Sequence, residues 1–165
     1  LNGIEVRLRT DYFDNRDFFD NLAYKVIYTG PVDKFYNYQF GNLDYRSLRF
    51  ESEYKDISDY QGNAAINYTE AEIPYTRIVE YKHFSNQKQN LHNTIIVKEI
   101  TTDTGEPYYP VPNKKNLELY DKYRKMAEEE KNVYFLGRLA NYKYFNMDEA
   151  IKNSLDFFQK IEKNI

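Results

Sequence analysis

The sequence predicts an α+β fold in which a central antiparallel sheet is flanked by pieces of an α/β layer. Two observations carry that prediction. Four segments in the middle of the chain, 48–54, 63–70, 76–84 and 94–100, are rich in β-branched and aromatic residues. Each alternates apolar with polar positions, as half-buried strands do. Their spacing suits an antiparallel meander, with no helix-length segment between them for a parallel crossover. The last third then changes to helix, strand and helix, which is how an α/β domain closes.

Taken in order, 4-IEVRLRT-10 alternates apolar and polar and predicts a half-buried strand. The following 10-TDYFDNRDFFDN-21 is a polar stretch punctuated by aromatics, and 25-KVIYTGP-31 is a short strand stopped by Gly30 and Pro31. After the four central strands, 106-EPYYPVP-112 is a stiff, extended connector. Leu117, Tyr120, Tyr123 and Ala127 recur at helical spacing within 113–130. The strand 133-VYFLG-137 follows. A last helix over 147–163 is expected to bury Met147, Ile151, Leu155, Phe158 and Ile161 on one stripe. Asn146 and Glu149 have the spacing of an N-cap and its return partner.

The expected division is therefore 1–30 with 111–165 as one α/β part, and 31–110 as an antiparallel sheet part. Neither end piece has enough strands for a stable open sheet. The chain, which begins at Leu1 rather than Met, reads as a portion of a longer protein that supplies the other strands.

Composition narrows the function. A net charge of −3 with a pI near 5.5 gives no field for nucleic-acid phosphates. The absence of cysteine removes disulfides, thiolate nucleophiles and cysteine-type zinc clusters. Two histidines, His83 and His92, are too few for a histidine-based metal site, so no metal is expected. No apolar run approaches the ~20 residues of a membrane helix. The six glycines never form G-x-G-x-x-G, and no P-loop or G-x-S-x-G occurs. Among 26 carboxylates no catalytic pair stands out, so no catalytic residue is assigned. The 18 tyrosines point instead to clefts lined by rings with hydroxyl groups.

Four constellations could bind a ligand. Arg77 in 74-PYTRIVEYKHF-84, preceded by Asn67, offers the planar fork that suits a phosphate. Its plainer role is a strand arginine paired with Glu72 or Glu80. In 107-PYYP-110, one tyrosine can face a cleft while its neighbour packs. Arg138, with Tyr142, Tyr144 and Phe145, precedes a capped helix N-terminus that attracts anions. Arg46 and Arg49 flank a strand and either serve an anion or are simply solvated.

Five segments, 27-IYTGPVDKFY-36, 44-DYRSLRFE-51, 61-QGNAAINYTEAEIPYTRIVEYKHF-84, 107-PYYPV-111 and 137-GRLANYKYFNMDEAI-151, resemble the C-terminal half of bacterial UDP-galactopyranose mutases. The resemblance runs in order along nearly the whole chain. It implies a cytoplasmic, FAD-dependent isomerase that interconverts UDP-galactopyranose and UDP-galactofuranose for cell-surface polysaccharide such as lipopolysaccharide. Reduced flavin would act there as a nucleophile toward the sugar. By position, the resemblance gives Arg77, Tyr109 and Tyr144 to the UDP diphosphate and Asn67 to substrate. It gives Gly137, Arg138, Phe145, Asn146 and Met147 to the flavin, and Arg46 to cofactor or diphosphate. Asn146 stands where some members have Asp; both cap a helix. The glycine-rich FAD turn lies outside this sequence, so the 111–165 part reads as an incomplete FAD-binding, Rossmann-like α/β domain. The expected partners are the sugar nucleotide, the N-terminal part of a parent chain and, through apolar edges, a second copy of the chain. Alone, the chain is expected to be inactive. The rival readings are a non-catalytic, tyrosine-rich carbohydrate- or nucleotide-binding module, and an interaction protein using its aromatic surface.

Overall fold

Strand β2 (Tyr45–Lys55) organises the sheet, because its eleven residues are long enough to pair on both sides. The computed structural model describes residues 2–84 and 92–162. One side of β2 takes β5 (Thr94–Thr102) antiparallel, from Ser47 opposite Thr102 to Lys55 opposite Thr94. The other side takes the short β6, Tyr109–Pro110. Strand β4 (Arg77–Glu80) adds to β5, and β3 (Ala65–Asn67) adds to β4. The order β3-β4-β5-β2-β6 is antiparallel throughout, as expected, but β2 lies inside the sheet, so it is not a simple meander. Pro110 is tolerated because β6 is an edge, where a missing N–H breaks no ladder. The central strands bury Ile78, Val79, Ile96 and Val97.

A separate parallel pair joins β1 (Val26–Tyr28) to β7 (Val133–Phe135), with Val26 opposite Val133. Around it lie α1 (Arg16–Leu22), α2 (Val32–Phe35), α3 (Lys114–Glu129) and α4 (Met147–Glu162). Its core is aromatic: Tyr28, Phe35 and Val133 are buried, with Tyr12, Phe13, Tyr36 and Phe135 packed against them. Gly30 is required by that core. A Cβ there would lie 2.5 Å from the Tyr28 hydroxyl oxygen, which donates to the Pro31 carbonyl at 3.0 Å.

The chain thus forms two compact units, one from the residues up to Asn42 and from Pro112 onward, the other from Leu43–Val111. Residues 31–42, placed with the sheet by the sequence boundary, go with the helical unit. Phe35 of α2 packs against Tyr28 and Phe135 there, with ring centroids 5.0 and 4.8 Å apart.

Three local expectations are corrected. Residues 4–10 are not a strand: Ile4, Val6 and Leu8 are exposed, and no strand among the described residues pairs with them. Alternation marks a strand only where an edge exists to receive it. The polar stretch 10–21 contains a helix instead. Asp11 accepts from the Phe13 amide at 2.9 Å, starting a 3-10 turn over Tyr12–Asn15 that leads into α1. The Arg16 guanidinium reaches Asp20 one turn on and lies 4.1 Å from the Phe35 ring centroid.

The third correction concerns α4. Met147, Ile151, Leu155 and Phe158 of the expected stripe face solvent, with Met147 85% exposed, while Ile161 is half-buried. The helix leans on the adjoining flank, where Phe157 packs edge-on against Tyr134. Lys163, the last residue of the expected helix, lies outside the described residues. In α3 the sequence reading singled out no cap; the Asn113 side chain supplies one, accepting from the Asn116 amide at 2.9 Å. Its most buried positions are Asn116 and Tyr123, while Leu117 is exposed.

Candidate functional site

The register of the sheet builds the first candidate site. Arg77 stands opposite Asn67 on one side and Glu99 on the other, and Tyr109 stands opposite Arg46. Residues two apart on a strand share a face. Leu48 therefore joins Arg46, and Thr101 joins Glu99. The result is a pocket of about 410 Å³ lined by Arg46, Leu48, Asn67, Thr76, Arg77, Glu99, Thr101 and Tyr109.

Within it Arg77 is held at two points. Its Nε donates to Asn67 Oδ1 at 2.8 Å, and an Nη lies 3.6 Å from a Glu99 carboxylate oxygen. Neither Glu72 nor Glu80 is its partner. Glu80 is three residues along the strand, so it lies on the opposite face, where it is fully buried. Arg46 pairs with Asp103, which is 75% exposed, so water screens the pair. Glu99, 14% exposed, is largely enclosed. It fixes the Arg77 fork while lowering the local positive charge. Tyr108 packs edge-on against Phe50 while its neighbour Tyr109 lines the pocket.

The second candidate lies in the loop from Gly137 to Asn146. Gly137 has φ +100°, and its amide donates to Asn141 Oδ1 at 3.0 Å. Asn141 in turn donates from its side chain to the Phe135 carbonyl and from its backbone to the Gly137 carbonyl. The loop then passes through Tyr142, buried and at φ 44°, a strained value for a tyrosine. Tyr142 stacks on Tyr120 of α3. Arg138 folds across the loop: an Nη donates to the Phe145 carbonyl, and its guanidinium carbon lies 5.0 Å from the Tyr144 ring centroid. Glu149 accepts from the Asn146 amide at 2.8 Å, the expected capping contact, and the first helical bond runs from Ala150 to Asn146.

The structure thus brings Arg46, Asn67, Arg77 and Tyr109 into one pocket of the sheet unit. Gly137, Arg138, Tyr144, Phe145, Asn146 and Met147 lie along one loop and helix start in the helical unit. Phe145 is buried, so what it presents to Arg138 is a carbonyl, while Tyr144, Asn146 and Met147 are exposed. Sequence reasoning missed Glu99 and Thr101. Their common parity in 94-TIIVKEITT-102 was readable, but their pairing with Arg77 and Leu48 needed the register.

Fold and pocket define an α+β protein whose antiparallel sheet presents paired arginines beside an amide and a tyrosine hydroxyl. Residues 1–144 match the model of a family described as UDP-galactopyranose mutase. The chain belongs to that family. It is 42% identical over 143 residues to a probable UDP-galactopyranose mutase of Klebsiella pneumoniae, covering 82% of this chain and 37% of that protein. A dTDP-fucopyranose mutase of Escherichia coli is 38% identical over 142 residues, covering 84% and 37%. The UDP-galactopyranose mutase of Mycoplasma genitalium is 38% identical over 159 residues, covering 91% and 39%. The fold is similar to a crystal structure of reduced UDP-galactopyranose mutase, with a TM-score of 0.67 and 14% identity over 86% of this chain and 41% of that one. The chain spans somewhat more than a third of the length of these curated relatives.

Proposed function

We propose that this chain is the sugar-nucleotide-binding portion of a flavin-dependent UDP-galactopyranose mutase, serving cell-surface polysaccharide synthesis in the cytoplasm. The observation that carries the reading is Arg77, oriented by Asn67 and Glu99 in a pocket that also holds Arg46 and Tyr109. A fork fixed on one edge can offer its other N–H groups to a diphosphate in parallel. A hydroxyl and a second arginine beside it supply donors for charge that grows as the sugar–phosphate bond breaks. Asn67 and Tyr109 bind substrate in this reading, and Tyr144 keeps the diphosphate role that the family resemblance gives it.

The residues proposed for the flavin fit one wall of such a site. Arg138 holds the loop by its carbonyl bond to Phe145, and the exposed Asn146 and Met147 open the start of α4 toward a flat ligand. Gly137 allows the turn that brings them there. When bound, reduced flavin supplies the nucleophile for ring opening and closure. The glycine-rich grip for its pyrophosphate belongs to the portion of the relatives that this chain does not span. That portion is also the proposed cover for the α4 stripe, and the chain alone is proposed to be inactive.

Calorimetric titration of UDP into the chain tests the diphosphate site. Arg77→Ala should weaken binding ten- to a hundredfold, about 1.5–3 kcal/mol for a lost charged hydrogen bond. Arg77→Lys should recover only part, since lysine keeps charge but loses the fork. Equal affinities for all three proteins would remove the assignment. Flavin fluorescence should show no tight FAD binding, and dithionite-reduced FAD should yield no furanose. Stoichiometric FAD binding or turnover would show instead that this portion is a complete site.

A further inference from the structure

Outside both candidate sites, three metal-ligating side chains converge where the loop after β2 folds over the end of β4. Asp59 comes from that loop, Glu80 ends β4, and His83 follows one 3-10 turn on. One ligand atom from each lies within 4.8 Å of the others. His83 Nε2 sits 3.4 Å from Asp59 Oδ1 and 3.4 Å from Glu80 Oε2. The sequence reading, which counted two histidines as too few, did not anticipate a mixed set.

Two features distinguish this cluster from an ordinary ion pair. His83 Nε2 is buried yet makes no hydrogen bond. A separation of 3.4 Å is long for an N–H···O bond, whose usual range is about 2.7–3.2 Å. It does match the edge of a tetrahedron whose bonds from centre to donor are about 2.0–2.2 Å, the lengths of zinc–nitrogen and zinc–oxygen bonds. The carboxylate oxygens are also held in place by hydrogen bonds. Glu80 is fully buried, yet accepts from Thr94 Oγ1 at 2.7 Å and from the amides of Tyr60 and Gln61. Asp59 accepts from the Gly62 amide at 2.6 Å. These second partners fix the ligand oxygens, as outer-shell bonds do in metal sites. The Lys82 ammonium is engaged by the Ser58 and Asn93 carbonyls.

We propose that Asp59, Glu80 and His83 form a binding site for a zinc-class divalent cation, with a fourth position for water, that fastens the loop around residues 59–62 to the end of β4. The site is independent of the mutase reading, because it uses none of the residues assigned to substrate or flavin.

The test is titration of zinc chloride into the chelator-treated chain, followed by calorimetry and by thermal unfolding. One equivalent should bind and raise the unfolding temperature. His83→Gln and Asp59→Asn should each lose at least tenfold in affinity, while His92→Gln should not change it. Asp59 is half-exposed, so its variant keeps the fold measurable if His83→Gln does not. Cobalt in place of zinc should give the strong visible absorption of a tetrahedral site. Absence of binding, an affinity in His83→Gln and Asp59→Asn unchanged from the native chain, or the pale spectrum of six-coordinate cobalt would overturn the proposal and leave a His–carboxylate ion pair in its place.

Discussion

The two units solve the problem of a small core differently. The sheet unit buries Ile78, Val79, Ile96 and Val97 on strands flanked by neighbours, and its candidate site residues stand on strands of the same sheet. Among the described residues the helical unit has only two paired strands and relies on rings: Tyr28, Phe35, Tyr36 and Phe135 pack edge-on and stacked. It leaves the α4 stripe in solvent. The lesson is that a five-stranded sheet can fix side chains to a register by itself, while a two-stranded pair leaves apolar surface for another element to cover.

The largest expected effect tests that contrast directly. Ile96→Ala, at a fully buried position, should cost about 2–5 kcal/mol in denaturant unfolding. Leu155→Ala on α4, where Leu155 is 58% exposed, should stay within about 0.5 kcal/mol. A large loss for Leu155 would break the comparison, because it would mean the stripe is already covered in the chain as it stands.

A smaller effect separates the two tyrosines. In a complete mutase carrying this sequence, Tyr109→Phe and Tyr144→Phe each remove one hydroxyl and little packing. Each should lower kcat without loss of fold, by up to about 1.5–3 kcal/mol if the hydroxyl bonds a charged phosphate. Steady-state kinetics decides. If Tyr109→Phe matters and Tyr144→Phe does not, substrate recognition belongs to the sheet unit alone.

The smallest effect is electrostatic and confined to the sheet. Glu53 accepts hydrogen bonds from Lys55 and Lys98, which hold its carboxyl down to about 2 against an ordinary 4.5. A depressed carboxylate stabilises the fold above its unfolded pKa, and that contribution is lost as pH falls through the folded one. Glu53→Gln should therefore flatten part of the stability loss between about pH 4.5 and 2, with no effect at pH 7 on its slope. Acid titrations of both proteins, followed by circular dichroism, should differ in that window; superimposable curves would show that the lysines leave Glu53 unperturbed.

Much of this was legible because the physics was local. Alternation located β2 to β5, the helical spacing of Leu117, Tyr120, Tyr123 and Ala127 located α3, and Asn146 with Glu149 located the start of α4. Arg77, Asn67 and Tyr109 stood out as residue types. Their convergence did not, because it depends on which strand lies beside which. Glu99 is 22 positions from Arg77 and became its neighbour only through the β4–β5 register. The helix at Arg16–Leu22 was hidden by Asp, Asn and Phe, which are weak helix formers. The errors at residues 4–10 and on α4 share one cause. Periodicity reports that a face is apolar and says nothing of whether the same chain supplies its cover.

The pairing of Val26 with Val133 has a consequence for the order in which the molecule is made. The sheet unit is continuous, from Leu43 to Val111, and every strand it needs has been synthesised before α3 begins. The parallel pair must wait until β7 emerges, with the whole sheet unit threaded between its two strands. Domains fold as units during synthesis, and closing a loop over an ordered insert costs less chain entropy than closing it over a disordered one. The sheet unit therefore acts as an internal scaffold in time: a chain released with its end at residue 111 should already resist protease across β2 to β5, while β1 is still waiting for its partner.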